Sequence, residues 1–393
     1  MKRLTVRQVA FTLHRYIGLG VALILIVIGL TGSFLVFGHE IDHFLVHLQS
    51  EKIVPQGERM SLESVVAIVE TAYQDSSAVK VESVGMPTAA DEPYQIWLES
   101  PDEKWTEVLV NPYTGTLLLT RQWEKTLTGM ALNIHYFLLA GETGIMVAGI
   151  TALLLFILSL TGIILWPGWR KLIAGFKIKW NAHPKRVNFD IHKVAGIIAA
   201  GFLAVIGLTG FCWNFYDFTT PIIYAATFTA PPPELASTVV EGKAPLTVSE
   251  LLQKAETVFP DGDTTYVNIP TTPDAAFGIN KRVPGEKEYW GRSRLYLDQY
   301  TGEVLHVYDV RSLPLGERVL DGFGPLHYGT FGGLPTRILY VFVGLSPTVL
   351  AITGWVMWRY RYRSQLAHQA RLLAEQEQSS GEDLLPLSPW PWF

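Results

Sequence analysis

Four apolar blocks of about 20 residues or more limit what this chain can fold into. They cover residues 17–37, 144–166, 194–213 and 337–358. A helix of about 20 apolar residues can cross a bilayer, because a helix satisfies its own backbone hydrogen bonds in hydrocarbon. The first block is longer than the apolar part of a removed signal peptide, and no small-residue cleavage site follows it. We therefore predict an α-helical membrane protein with four transmembrane helices.

Basic residues lie at alternate ends of the predicted spans. They precede the first span, connect the second to the third and follow the fourth: Lys2, Arg3, Arg7, Arg15, Arg170, Lys171, Lys177, Lys179, Lys185, Arg186, Arg359, Arg361 and Arg363. Short basic loops remain in the cytoplasm. Both termini are therefore predicted to be cytoplasmic, and the long segments at about 40–140 and 215–335 are predicted to lie outside the cytoplasm.

The remaining composition excludes several kinds of site. The single cysteine, Cys212, excludes a disulfide within the chain and any zinc or iron–sulfur site built from several cysteines. The net charge of -5 and the absence of a basic, aromatic surface exclude a nucleic-acid partner. Nucleotide-binding loops, a catalytic triad and a His-Glu-x-x-His motif are also absent from the sequence. The residue types that remain can support electron transfer.

The two halves of the chain share motifs at identical spacing. A Thr-Gly pair follows both His14 and His192 after 17 residues, and another follows both His135 and His327 after 26 residues. Tyr-Thr-Gly turns occur in both outer segments. Such self-similarity indicates tandem copies of one unit, made of a span, an outer domain and a span. The copies are predicted to be related by a pseudo-two-fold axis normal to the membrane.

Each outer segment is predicted to form a small α+β domain. Residues 61–73 and 247–259 have apolar side chains at helical spacing, which indicates an amphipathic helix in each segment. Alternating apolar and polar residues then indicate strands at 94–98, 107–110, 294–297 and 303–307.

Four of the ten histidines occupy matched positions in the two halves. His14 and His192 begin the first and third spans on the cytoplasmic side, and His135 and His327 precede the second and fourth spans on the outer side. Ionisable side chains at membrane depth usually serve a function. The pseudo-two-fold axis would oppose two imidazoles in each leaflet, as the axial ligands of a b-type haem are opposed. We predict two haems b; interfacial or capping histidines are the alternative.

Other charged residues are assigned around this framework. Arg15 and Lys193 directly follow their histidines and are predicted to neutralise haem propionates. His39 and His43 share one helix face at the outer end of the first span, where they are weaker candidates for a metal ion or an alternative haem ligand. A solvated helix end is the alternative for that pair. The remaining histidines are predicted to be ordinary surface or loop residues: His47, His183, His306 and His368.

These motifs resemble those of the PepSY-associated transmembrane proteins over nearly the whole chain. They are LHRYIGL at 13–19, LTGSFLVF at 30–37, DIHKVAG at 190–196 and PLHYGTFGGLP at 325–335. Within that family the chain looks most like the dihaem inner-membrane siderophore reductases of the ferrioxamine type. The resemblance implies haem ligation at the four matched histidines. It also implies electron transfer across the membrane to a periplasmic ferric siderophore, with release of iron as Fe(II).

The resemblance also implies a division of the chain into spans, PepSY-like periplasmic domains and cytoplasmic parts. The spans are 1–40, 133–169, 191–215 and 325–360, the periplasmic domains are 41–132 and 216–324, and the cytoplasmic parts are 170–190 and 361–393. A cytoplasmic protein or a quinol is expected to supply electrons, since the sequence contains no recognisable flavin or nicotinamide site. Two other functions stay open: a non-enzymatic sensor whose outer domains bind a protein or peptide, and a transporter of siderophore or metal.

Overall fold

The computed structural model describes residues 5–74, 80–99, 105–240, 242–286 and 288–382. Lys2, Arg3 and the end of the predicted cytoplasmic tail lie outside the described residues. The helices, in chain order, are α1 (Val6–Leu35), α2 (Gly38–Gln49), α3 (Leu62–Ala72), α4 (Leu127–Leu132), α5 (Gly141–Leu165), α6 (Leu172–Phe176), α7 (Pro184–Asn214), α8 (Tyr216–Ala226), α9 (Val248–Val258), α10 (Leu315–Tyr328) and α11 (Leu334–Glu382). The strands are β1 (Lys80–Gly85), β2 (Tyr94–Glu99), β3 (Trp105–Val110), β4 (Leu117–Gln122), β5 (Asp263–Asn268), β6 (Phe277–Arg282), β7 (Ser293–Leu297) and β8 (Val304–Tyr308).

Four helices among the described residues are long and apolar enough to cross a membrane: α1, α5, α7 and α11. At most 33% of the most apolar stretch of any of them is buried within the protein. A core helix of a soluble protein would bury its apolar face, whereas these helices leave most of their apolar surface for lipid. The prediction of a four-helix membrane protein is confirmed.

The chain divides into two compact units. The first comprises Met1–Gly29, Leu154–Ala204 and Leu345–Phe393. In it, Leu158 of α5 packs against Val21 and Leu25 of α1. The amide of Asn188 in α7 also donates a hydrogen bond to the backbone carbonyl of Thr353 in α11, 2.9 Å away. Polar side chains thus connect the helices of this unit in addition to apolar packing.

The second unit comprises Leu30–Leu153 and Val205–Gly344 and contains one antiparallel sheet of eight strands. The strand order is β4-β3-β2-β1-β5-β6-β7-β8, so each outer segment contributes four strands. The two sets of strands meet where β1 pairs with β5, with Val84 opposite Val267. The two outer segments therefore share one sheet, rather than forming the two separate α+β domains that the sequence predicts.

Helices α3 and α9 pack on this sheet through one common core. Val65 and Val69 of α3, together with Leu251 and Ala255 of α9, are buried among the strand side chains. Both helices begin at a hydroxyl cap: Ser61 accepts the backbone N–H of Ser64, and Thr247 forms a capping box with Glu250. The prediction of one amphipathic helix in each outer segment is confirmed.

Helix α2 is connected to the rest of the second unit by ion pairs. Arg121 of β4 bridges Asp42 of α2 and Glu107 of β3, whose side chain is fully buried. Arg337 at the start of α11 pairs with Glu40 of α2 and also donates to the backbone carbonyl of Val36. Two arginines thus neutralise two of the acidic side chains of α2.

Candidate cofactor site: two histidine pairs

The first unit brings His14 of α1 close to His192 of α7. The centroids of the two imidazole rings lie 6.2 Å apart, and the ring planes meet at 87°. Both side chains are half-buried. The two residues that the sequence matches across its halves therefore face each other in the folded chain.

The second unit brings together the other matched histidines. His327 lies in the last turn of α10, and the centroid of its ring is 6.4 Å from that of His135, with the planes at 81°. The indole of Trp213 packs against His327, with centroids 5.0 Å apart. The pair thus has nearly the same separation and angle as the pair in the first unit.

An irregular backbone positions His135. It lies in a single π-helical turn, Asn133–Phe137, which is a feature found often at functional sites. The next residues, Leu138 (φ 48°) and Leu139 (φ 58°), are left-handed, a conformation that is uncommon for residues other than glycine. This break separates His135 from the second span. The regular helix α5 begins only at Gly141, rather than at the predicted residue 133.

Each of the four histidines is hydrogen bonded through Nδ1 to a threonine hydroxyl. The Nδ1–Oγ1 distances are 3.0 Å for His14 and Thr161, 2.8 Å for His192 and Thr353, 3.1 Å for His135 and Thr31, and 2.8 Å for His327 and Thr209. These threonines belong to the four Thr-Gly pairs that recur in the sequence. The recurring spacing therefore corresponds to a repeated contact between histidine and threonine.

The threonine hydroxyls decide which imidazole nitrogen carries the proton. A hydroxyl has one hydrogen, and three of the four threonines donate it to the backbone carbonyl four residues earlier: Thr161 to Ile157 at 2.8 Å, Thr209 to Val205 at 2.9 Å and Thr353 to Val349 at 2.6 Å. Their oxygens must then accept the Nδ1–H of the imidazole. The lone pair of a neutral imidazole is consequently on Nε2, the nitrogen that would bind a metal.

The glycine beside each threonine leaves room for the imidazole ring. A Cβ atom added at Gly32 would lie 2.8 Å from Cε1 of His135, which is too close without movement. At the other three glycines the distance from such a Cβ to Cε1 of the paired histidine is longer: 3.3 Å at Gly162, 3.3 Å at Gly210 and 3.5 Å at Gly354. The Thr-Gly pair therefore supplies both a hydrogen-bond acceptor and a surface for the ring.

The separation of the rings fits two axial ligands of one iron. An imidazole nitrogen binds a metal at about 2.0–2.1 Å and lies about 1.1 Å from its ring centroid, so two opposed rings on one metal have centroids about 6.3 Å apart. The observed separations are 6.2 and 6.4 Å. No group of three or more His, Cys, Asp or Glu side chains that could hold a metal ion occurs among the described residues. Two ligands per site suit the axial positions of a haem better than a tetrahedral ion.

A comparison with known families matches nearly the whole chain. Residues 11–361 match the family described as the PepSY-associated TM region. The chain belongs to this family. No curated protein matches it. The family assignment agrees with the resemblance that the sequence motifs indicate, and both histidine pairs of this PepSY-associated membrane protein lie within the matched residues.

The two basic residues that follow His14 and His192 have different environments. The sequence assigns Lys193 to a haem propionate, but its ammonium group is buried and donates to Asp190 and to the backbone carbonyls of Ala174 and Lys177. Its charge is therefore used to hold the segment around α6, and we withdraw that assignment. Arg15 donates to the hydroxyl of Tyr16 and pairs with no carboxylate among the described residues. Arg15 thus stays a candidate for a propionate.

The weaker histidine candidates lie on α2, in the second unit. The ring of His39 stacks on that of Tyr289, with centroids 3.6 Å apart and planes at 14°. Nε2 of His43 lies 3.3 Å from Nε2 of His47 and 3.5 Å from a carboxylate oxygen of Glu92. The i,i+4 pair that the structure brings into contact is therefore His43 with His47, rather than the predicted His39 with His43.

The threonines and glycines of the Thr-Gly pairs are the site residues that the sequence interpretation missed. The pairs are visible in the sequence, at equal distances from the four histidines, yet they serve there only as markers of the internal similarity. Threonine and glycine are also common in the packing of membrane helices, which gives neither residue type a specific chemical meaning. The equal spacing was the available signal, because a helix places a residue at a fixed distance and angle from another.

Proposed function

We propose that this PepSY-associated membrane protein binds two b-type haems, one at each histidine pair, and passes electrons to a ferric siderophore. The observation that carries the proposal is the double occurrence of opposed imidazoles at 6.2 and 6.4 Å, each held at Nδ1 by a threonine. Bound haem supplies a one-electron carrier. The residues of the chain hold the ring planes, fix the tautomer and keep the imidazoles at the correct separation.

The charge distribution supports a direction for the transfer. The basic segments that precede α1 and α7 and follow the apolar part of α11 favour the cytoplasmic side, where His14 and His192 begin their helices. In this orientation the eight-stranded sheet is periplasmic, and His135 and His327 belong to the periplasmic half. A quinol or a cytoplasmic reductant would lose the electrons. Each electron would convert one chelated Fe(III) to Fe(II), which oxygen-rich siderophores hold far less tightly.

Haem content is the first test of the proposal. The detergent-purified chain should show sharp Soret and α bands after reduction with dithionite, and a pyridine haemochrome assay should give about two haems per chain. His14→Ala and His327→Ala should each remove about one haem. The matched control is His368→Ala, because this side chain is exposed on α11, far along the chain from the four paired histidines. A colourless protein after haem reconstitution, or full haem content in both single variants, would contradict haem binding at these pairs.

Electron delivery is tested separately. Haem-loaded protein is reduced, freed of excess dithionite and mixed without oxygen with a ferric hydroxamate in the presence of a chromogenic Fe(II) chelator. Loss of the reduced α band should release one Fe(II) for each electron lost. A protein that binds haem but keeps its reduced spectrum in this mixture would not be a reductase of this substrate class. Uptake of siderophore into liposomes without any electron donor would instead indicate a transporter.

A further inference from the structure

Three side chains of the second unit converge beside α2, separately from the histidine pairs. His43 and His47 lie one turn apart on α2, and their Nε2 atoms are 3.3 Å apart. Their rings meet edge to face, with centroids 4.4 Å apart. Glu92, in the connection between β1 and β2, places Oε1 3.5 Å from Nε2 of His43. Both histidines are exposed, so this cluster is open to solutes.

The carboxylate of Glu92 is held in place by its other oxygen. Oε2 accepts hydrogen bonds from the backbone N–H groups of Thr88 and Ala89, at 2.9 and 3.2 Å, and from the hydroxyl of Thr88 at 2.5 Å. These contacts leave Oε1 directed at His43. A carboxylate fixed by hydrogen bonds at one oxygen, with the second oxygen directed at an imidazole, is the arrangement that outer-shell contacts give to metal ligands.

The charges around the cluster distinguish Glu92 from its acidic neighbours. Glu40 pairs with Arg337, and Asp42 pairs with Arg121. Among the described residues, the only basic side chain that pairs with Glu92 is the imidazole of His43. An imidazole is largely neutral at pH 7, so the negative charge of Glu92 is the one that α2 and its surroundings leave without a permanent cation.

We propose that His43, His47 and Glu92 bind a divalent first-row transition-metal ion, such as Zn²⁺. Ligands at about 2.0–2.1 Å in tetrahedral geometry are about 3.3–3.4 Å apart, close to the two observed contacts of 3.3 and 3.5 Å. Imidazole with one carboxylate favours Zn²⁺, Ni²⁺, Cu²⁺ or Fe²⁺ over Mg²⁺ and Ca²⁺. Three such side chains do not already surround a single point among the described residues, so binding requires rotation of the exposed His47 ring.

This inference does not depend on the proposed haem function. It uses neither the four paired histidines nor their threonines, and it assigns a role to part of the α2 histidine cluster. His39 takes no part, because its ring is stacked on Tyr289. The site therefore predicts a difference between histidines on one helix, which a chain that binds metal nonspecifically would not show.

Equilibrium dialysis against Zn²⁺ tests the site on the full-length, haem-loaded chain, purified without a polyhistidine tag and stripped of metal with a chelator. Wild type should bind one Zn²⁺ that His43→Ala and His47→Ala each weaken by at least about 10-fold, because even outer-shell changes cost 10–100-fold. Glu92→Gln should also weaken binding. His39→Ala is the matched control and should retain wild-type affinity, and circular dichroism checks that every variant is folded.

The outcomes separate the proposal from its alternatives. Equal Zn²⁺ affinity in wild type and the His43→Ala, His47→Ala double variant would overturn the site. An equal loss in His39→Ala would also overturn it, since that result would indicate a general effect of α2 on metal binding. Loss confined to His43, His47 and Glu92 variants, with unchanged haem spectra, would establish a metal site distinct from the histidine pairs.

Discussion

The hydroxyl oxygen of Thr161 lies 3.0 Å from Nδ1 of His14, on a different helix. The same hydroxyl donates its hydrogen to the carbonyl of Ile157, so it can only accept from the imidazole. Each contact of this kind fixes the rotation of a ring about its own axis. The geometry of the histidine pairs is therefore set by threonines on the facing elements as well as by the histidines themselves.

Removal of the threonine hydroxyl should loosen the ring without removing a ligand. In Thr161→Val and Thr353→Val the Nδ1–H groups lose their acceptor, and a buried donor without a partner costs about 1–3 kcal/mol. We expect retained haem with a raised midpoint potential, because an imidazole that no longer donates at Nδ1 is a weaker electron donor to iron. Redox titration followed at the α band measures this. Thr151→Val is the control, since Thr151 donates only to the carbonyl of Val147 among its described contacts.

The ring planes predict the magnetic signature of the oxidised protein. The planes meet at 87° in one pair and 81° in the other. Perpendicular imidazoles donate equally into the two iron orbitals of π symmetry, which leaves these orbitals nearly degenerate. Low-temperature electron paramagnetic resonance should therefore show highly anisotropic low-spin signals with a large g value for both haems. A rhombic spectrum typical of parallel rings would show that the rings rotate when haem binds.

The glycines that face the imidazoles differ in how much room they leave. An added Cβ at Gly32 would be 2.8 Å from Cε1 of His135, whereas at Gly354 it would be 3.5 Å from Cε1 of His192, an ordinary contact. Gly32→Ala should therefore displace His135 and reduce haem content at that pair, while Gly354→Ala should leave haem content near the wild-type value. Haemochrome assays compare the two variants. Gly20→Ala serves as the control on α1, because nothing lies within 4 Å of that added carbon.

The membrane spans and the four histidines were predictable from the sequence because both depend on local patterns. Hydropathy over about 20 residues defines α1, α5, α7 and α11, and equal spacing identifies the matched histidines. The π-helical turn around His135 was not predictable, since two leucines adopt the left-handed backbone that glycine would normally signal. The partners of Lys193 were equally hidden, because two of them are backbone carbonyls that the fold brings to its ammonium group.

The ion pair between Glu40 and Arg337 should make stability depend on pH. The hydrogen bond from Arg337 is the main cause that lowers the pKa of Glu40 below its usual value near 4.5. A carboxyl group whose pKa is lower in the folded than in the unfolded chain contributes stability above the unfolded pKa. That contribution is lost as pH falls through the folded pKa.

Thermal unfolding of wild type and Glu40→Gln measures this contribution. The difference in melting temperature between the two proteins should be constant from pH 7 to about pH 5 and should shrink below about pH 4.5, as Glu40 becomes protonated. The effect should be small, because the side chain of Glu40 is about half exposed and solvent screens the pair. A difference that grows as pH falls would contradict the assigned direction of the pKa shift.

The pairing of β1 with β5 has a consequence for how the protein is made. Residue 85 ends β1, and its partner strand begins at residue 263, after two further membrane helices. Until those residues leave the ribosome and cross the membrane, β1 presents an open row of backbone donors and acceptors, which readily pairs with other chains. The first half of the nascent protein therefore needs either rapid synthesis of the second half or a chaperone at the membrane surface to cover that edge.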